Sequence, residues 1–407
     1  MHSVRQIVSL AIATTLVSTG ADAQTKPRAR DLGVPFEGVP GPLNAITDVP
    51  RVLVGHATIV RGEGRRVIGA GPVRTGVTAI LPRGHEMQDP VFAAWFTMNG
   101  NGEMTGTTWV EESGFLEGPV MITNTHSVGV VRDAVIDWMV RRGQQFAWAR
   151  PVVAETYDGA LNDINGFHVT AAHAFQALDG ATGGPVAEGN VGGGTGMICH
   201  RFKGGIGTAS RQVATLGETY TIGVLVQCNY GSRGLLRIAG VPVGREITDL
   251  MPCYVGPPSG RPDVRICDEE RQRDDSPDVP AAMGSIIIVL ATDAPLLPHQ
   301  LKRIAKRTSM GVALMGGIAS NGSGDIFIAF STANTGADGT DLATVTMLPN
   351  RHITPLFLAT VQATEEAIVN ALVAAETMTG ADDLRVYALP QARLTEVLAR
   401  YGRMNAR

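Results

Sequence analysis

A chain of 407 residues is long enough for one large domain or two ordinary ones, with a substantial core. Its formal net charge of -4 is nearly balanced, and no basic stripe or Lys/Arg run interleaved with aromatics is visible, which speaks against nucleic acid as a partner. The 49 glycines follow no fixed period, so they exclude a collagen-like chain and indicate many tight turns and close backbone approaches.

The amino terminus carries Arg5, an apolar stretch over residues 7–17, and Ala21-Asp22-Ala23 before Gln24. A basic start, a short apolar region and an A-x-A site predict a secretory signal peptide over residues 1–23, which places the mature chain in the periplasm or outside the cell. No later stretch is expected to reach the length of a transmembrane helix. Four cysteines remain, Cys199, Cys228, Cys253 and Cys267, without a C-x-x-C pair, so neither a zinc ribbon nor a thioredoxin-like site is supported. In an exported protein a Cys253 to Cys267 bridge and four unpaired thiols are both compatible with the spacing.

A Pro/Gly-rich lead-in over residues 35–44 is expected to lie on the surface as an arm. Short strands are predicted at 51–57, 76–82, 92–96 and 120–123, the last two separated by the polar, glycine-studded 99–106. Ser127 suits the N-cap of a helix with Val131, Ala134, Val135 and Trp138 on one face. A buried strand over 151–155 follows, then a helix over 167–178 stopped by Gly180. The block 188–199 invites a phosphate-loop reading, but it has no complete G-x-G-x-x-G and no G-K-[ST], and it runs into what reads as a glycine-rich hairpin around 202–208. Residues 220–229 form a clear strand. Downstream, a basic helix starts at Pro298, a strand covers 326–330, a long helix covers 355–377 and a terminal one 394–401. Strands and helices come in clusters and do not strictly alternate, which argues for a layered α+β fold with sheets in the middle and helices outside.

The most unusual stretch is Met283-Gly284-Ser285-Ile286-Ile287-Ile288-Val289-Leu290. Its five aliphatic residues read as a strand buried on both faces. Upstream, residues 268–280 are charged and punctuated by proline, a composition that cannot bury enough surface to order itself. A mobile leader over about 253–284, a glycine, a serine and then a rigid strand would suit a nucleophile exposed at a new amino terminus. Taken alone, Gly-Ser before an apolar run reads as a turn dipeptide.

Gly284-Ser285-Ile286-Ile287-Ile288-Val289, Ala291-Thr292-Asp293-Ala294-Pro295 and Asn321-Gly322-Ser323-Gly324-Asp325, together with Glu155-Thr156-Tyr157-Asp158-Gly159 and Cys228-Asn229-Tyr230-Gly231, resemble the P1 family of self-processing aminopeptidases, peptidase family S58. That family contains the L-aminopeptidase/D-amidase-esterases and the β-peptidyl aminopeptidases. The resemblance implies a four-layer αββα sandwich, like Ntn hydrolases in mechanism but with different connectivity. It also implies one domain cut into a large chain (24–284) and a small one (285–407), and a homo-oligomer, expected to be a tetramer.

By the same resemblance Ser285 is the nucleophile of an N-terminal serine aminopeptidase, formed by autoproteolysis at Gly284-Ser285. It would release α- or β-amino acids from peptides, amides or esters through an acyl-enzyme. Its own α-amine, with an unperturbed pKa of roughly 7.7 to 8, serves as general base. Ser323 and Asp325 alternate at a strand entry, so both can face one side and steady the proton network. Asn229 is suited to stabilising an oxyanion and Tyr157 is implied as a second donor. Glu155 is the expected partner of the substrate's ammonium. No cofactor is expected. Nine histidines include no H-E-x-x-H or H-x-H, which disfavours a metallopeptidase, and His126 and His200 read as surface or satisfied residues. No G-x-S-x-G elbow occurs. Two rivals are an acyltransferase of the ornithine acetyltransferase type, disfavoured by Ser285 and the signal peptide, and an inactive periplasmic binding protein on the same fold.

Overall fold

The run from Ile286 to Leu290 is fully buried. In the computed structural model, which describes residues 26–86, 88–144, 146–256, 266–267 and 284–404, it lies inside β12 (Gly284–Thr292), an inner strand of a six-stranded sheet. That sheet runs in the order β4 (Phe115–Leu116), β3 (Val91–Gly100), β13 (Ser323–Ser331), β12, β10 (Glu218–Asn229) and β9 (Gly205–Thr215). A second, four-stranded sheet runs β1 (Leu53–Arg61), β2 (Val73–Leu81), β5 (Val120–Asn124) and β6 (Val152–Thr156).

The alternation of side chains along a strand separates two cores. Ile287, Val289 and Ala291 of β12 meet Ile80, Val120, Ile122 and Ala154 of the other sheet, so they fill the space between sheets. Ile286, Ile288 and Leu290 point the other way, against α5 (Pro298–Leu314), α6 (Thr354–Val373) and α7 (Gln391–Arg400). The four-stranded sheet is covered on its far side by α2 (Val128–Arg141) and α3 (Ala171–Asp179). Helix, sheet, sheet, helix is the four-layer αββα sandwich, with each sheet buried on both faces.

Smaller elements complete it: α1 (Thr107–Ser113), α4 (Val243–Glu246), a hairpin of β7 (Ile198–Cys199) with β8 (Phe202–Lys203), and a three-stranded sheet of β11 (Cys253–Tyr254), β15 (Leu384–Val386) and β14 (Met378–Thr379). The lead-in over 35–44 is pinned at its end, where Asn44 bonds the carboxylate of buried Glu366 in α6, which Arg30 also bonds from just before the lead-in.

Several expectations need correction. By length and composition α6 does meet the requirement for a membrane span, yet most of it is buried inside the protein, as a core helix is. The helix expected over 167–178 begins at Ala171, because Phe167 adopts a left-handed φ of 51° and Thr170 is extended. Ser127 is the N-cap residue of α2 but makes no side-chain cap bond. All four cysteines are paired, Cys199 to Cys228 and Cys253 to Cys267, with Cα separations of 5.6 and 5.1 Å. Of the two readings of His200, surface or satisfied, the second applies: it is fully buried and its Nδ1 lies 3.1 Å from the Ser232 carbonyl. The predicted signal peptide, and residues 257–265 and 268–283 of the predicted leader, lie outside the described residues.

Candidate active site

Ser285 stands at the start of β12, where three strands end together. It is register partner to Asn229 on antiparallel β10 and to Gly324 on parallel β13. By strand alternation its side chain shares the inter-sheet face with Ile287 and Val289. The residue is buried, and its Oγ accepts a hydrogen bond from the Gly324 N–H at 3.1 Å.

Asn229 has its amide orientation set from two directions. Its Oδ1 accepts from the Ile198 N–H at 2.7 Å, and its Nδ2 donates to the Tyr157 carbonyl at 3.0 Å. Since an amide nitrogen carries two hydrogens, one remains for a further acceptor. Tyr157 follows the last residue of β6 and is 40% exposed. Its ring packs over Gly159, where a Cβ would lie 2.4 Å from the hydroxyl. Thus its carbonyl holds Asn229 and its hydroxyl stands free of any side-chain hydrogen bond among the described residues.

Ser323 and Asp325 face the same side of β13, joined by a Ser323 Oγ to Asp325 Oδ2 bond of 2.8 Å. That side is the helix-facing one shared with Phe327 and Ala329, opposite to the face of Ser285. Among the described residues neither side chain bonds Ser285 Oγ; the pair lies behind the Gly284–Ser285 peptide. Asn99 Nδ2 donates to Ser323 Oγ at 3.0 Å. Burial raises the Asp325 carboxyl to about 6, against the lowering effect of the Ser323 bond. Among the described residues Asp325 Oδ1 and the Tyr230 hydroxyl are both buried without a hydrogen-bond partner. Both residues line a cavity of about 20 Å³ beside Gly284, enough for one water.

Glu155, near the end of β6, is buried. Its carboxylate accepts from the Glu103 N–H at 3.1 Å and, in a short bond, from the Thr125 hydroxyl. Burial raises its pKa, and those two bonds oppose the rise. Gly102 connects it to the register partner of Ser285: a Cβ there would lie 3.1 Å from Gly324 Cα and 3.2 Å from Glu155 Oε1. Glu155 and Ser285 therefore sit on two sides of one narrow backbone crossing.

Sequence reasoning missed the backbone donors of Gly324 and Ile198, which no side-chain pattern reveals, and the polar side chains of Asn99 and Thr125. Asn99 did carry a signal, since it opens the polar stretch 99–106 after the strand predicted at 92–96, although β3 runs on through it to Gly100. Among the described residues no cluster of His, Cys, Asp and Glu could hold a metal ion.

Known proteins of the same architecture place the chain in a family. A profile of peptidase family S58 matches residues 44–386. The chain is 54% identical over 398 residues to the β-peptidyl aminopeptidase BapA of Sphingosinicella microcystinivorans, covering 97% of this chain and 98% of that one. The L-aminopeptidase D-Ala-esterase/amidase of Ochrobactrum anthropi, described as a prototype for the serine aminopeptidases and a new variant among the Ntn hydrolase fold, superposes with a TM-score of 0.82 at 50% identity, over 93% of this chain and 100% of that one. A β-aminopeptidase of Burkholderia sp. superposes with a TM-score of 0.79 at 47% identity, over 92% and 99%. Matching motifs, matching layers and a family profile over most of its length make the chain a member of peptidase family S58.

Proposed function

We propose that this peptidase, an aminopeptidase of the N-terminal nucleophile type, matures by cutting itself between Gly284 and Ser285 and then releases amino-terminal residues, β-amino acids among them, from peptides and amides. In the precursor, Ser285 Oγ attacks the Gly284 carbonyl carbon. The proton that Oγ gives up is passed to the peptide nitrogen of Ser285, the C–N bond breaks, and an ester joins Gly284 to Ser285 Oγ. Water hydrolyses that ester, leaving the Gly284 carboxylate and a free α-amine on Ser285. Asp325, whose carboxyl is pushed up to about 6 by burial, is suited to exchange the proton with that nitrogen.

In the mature enzyme the Ser285 amine takes the proton from Oγ as it attacks the substrate carbonyl and returns it to the leaving amine; water then hydrolyses the acyl ester on Oγ, freeing the amino acid and restoring the hydroxyl. The spare Asn229 N–H stabilises the oxyanion, with the Tyr157 hydroxyl as a second donor. Glu155 meets the substrate's ammonium. The observation that carries the reading is the Ser285–Asn229 pairing beside a glycine whose Cβ the Asn229 carbonyl would not admit. Relatives named β-peptidyl aminopeptidase and β-aminopeptidase support the substrate class. Export and assembly into an oligomer complete the proposal.

Intact-mass analysis of the wild type beside Ser285→Ala tests it. Two wild-type fragments meeting at Gly284-Ser285 and one uncut mutant chain are expected, and hydrolysis of a β-aminoacyl amide by the processed protein only. A wild-type chain that stays whole while hydrolysing the amide would sink the mechanism.

A further inference from the structure

Lys203 in β8 is fully buried, and among the described residues it forms no ion pair. Its Nζ instead donates to three backbone carbonyls, Met197 at 2.9 Å, Gly204 at 2.9 Å and Gly194 at 3.4 Å. Burying an ammonium is costly even when its hydrogens are satisfied, and neutral carbonyls compensate it less than a carboxylate would. Burial accordingly draws its pKa down to about 7, and Lys26 adds to the effect.

The Met197 carbonyl belongs to the same peptide unit as the Ile198 N–H. That N–H is the donor that holds Asn229 Oδ1 at 2.7 Å. An unbroken line therefore runs from the Lys203 ammonium, through the Met197–Ile198 peptide, to the Asn229 amide. Each hydrogen bond in such a line polarises the next, most strongly in a buried setting. A cation at one end draws electron density from the Asn229 Nδ2–H at the other. The Cys199–Cys228 bridge ties the residue after Ile198 to the residue before Asn229, so the geometry of the line is also held covalently.

We propose that Lys203 is a positioning residue of the oxyanion site, anchoring and polarising the Met197–Ile198 peptide so that the Asn229 amide is both aimed and strengthened as a donor. The proposal rests on the reading of Asn229 as the oxyanion donor given above. A lysine that only pinned the glycine-rich turn would affect stability and all ligands alike. A relay affects the tetrahedral state selectively.

The test uses Lys203→Met, which keeps the apolar stem and removes the charge, assayed at and below neutral pH. Three quantities are read: the rate of self-cleavage by intact mass, affinity for an aminoalkyl boronic acid whose Ser285 adduct is tetrahedral, and affinity for the free amino acid product. Expected are a tenfold or greater loss in the first two and a change below twofold in the third. In an Asn229→Ala background, the further loss from Lys203→Met should fall below twofold. Equal weakening of boronic acid and product, or a full tenfold loss that persists without Asn229, overturns the relay. If Asn229→Ala alone changes neither cleavage nor boronic acid affinity, the oxyanion reading fails. If it weakens both while Lys203→Met does not, only the relay fails. Should Lys203→Met not fold, Lys203→Gln, which keeps a neutral donor for the Met197 carbonyl, is read by the same criteria.

Discussion

Asn229 and Ser285 face each other across the β10–β12 ladder, and the Asn229 side chain is held at both its oxygen and its nitrogen. A donor fixed before the reaction loses no free energy reorienting as charge develops, so its removal should act on the transition state more than on binding. Asn229→Ala is expected to lower kcat by about 10²–10³-fold with little change in KM. Steady-state kinetics on processed protein check this. A rise in KM at constant kcat would assign Asn229 to substrate binding instead.

Gly284 lies against β10 so closely that a Cβ would stand 2.6 Å from the Asn229 carbonyl oxygen and 3.0 Å from Tyr230 Cα. Neither is the end of a flexible side chain, so the Gly284–Ser285 peptide itself must shift. Near-attack geometry tolerates little displacement, about 1 Å costing on the order of 100-fold. Gly284→Ala should accumulate as precursor, with self-cleavage slowed at least tenfold in a time course by intact mass. Cleavage at the wild-type rate would show that the strand tolerates the methyl group.

These close approaches explain how much of the protein was legible in its residues. The β12 run announced a doubly buried strand because five aliphatics in succession have no solvent face to spare, and Gly284-Ser285 stood out against it. By contrast the start of β9 reads as part of a glycine-rich hairpin around 202–208, and its continuation is masked by Arg211, which reads as a surface residue until Glu366 is found 2.7 Å away. Lys203 was invisible for a similar reason: its partners are carbonyls, which every residue has. Asn229 and Glu155 emerged through motif resemblance, while the Gly324 and Ile198 N–H groups that organise the site depend on strand register and turn geometry alone.

Asp158, next to Tyr157, offers a test by pH. It is fully buried, and burial raises its carboxyl to about 6, with bonds from Thr75, Asn162 and Asn124 opposing the rise. A carboxyl whose folded pKa exceeds its unfolded value of roughly 3.9 binds more protons when folded. Its contribution to stability therefore falls as pH climbs from about 4 through 6, then levels off. Asp158→Asn lacks that titration while keeping an acceptor oxygen. The melting temperature of Asp158→Asn relative to wild type should thus improve between pH 4.5 and pH 7.5. A constant or declining difference would mean that the carboxylate is better compensated than its surroundings indicate.

Glu155 should govern how the enzyme recognises a free amino group. Its carboxylate is buried against Gly102 and held by Glu103 and Thr125, and burial raises its pKa. An arriving ammonium would relieve that destabilisation, whereas an acylated amine would leave the carboxylate uncompensated, so the same group both attracts the correct substrate and rejects the blocked one. A hydrogen bond to a charged partner contributes about 1.5–3 kcal/mol, so Glu155→Gln should raise KM by roughly 10- to 150-fold. The acid side of the pH profile gives a second reading. As pH falls through the raised Glu155 pKa, the carboxylate is neutralised and wild-type affinity weakens. Glu155→Gln, being neutral throughout, should lack that limb. A mutant whose KM is unchanged, or whose acid limb matches the wild type, would move ammonium recognition to another residue.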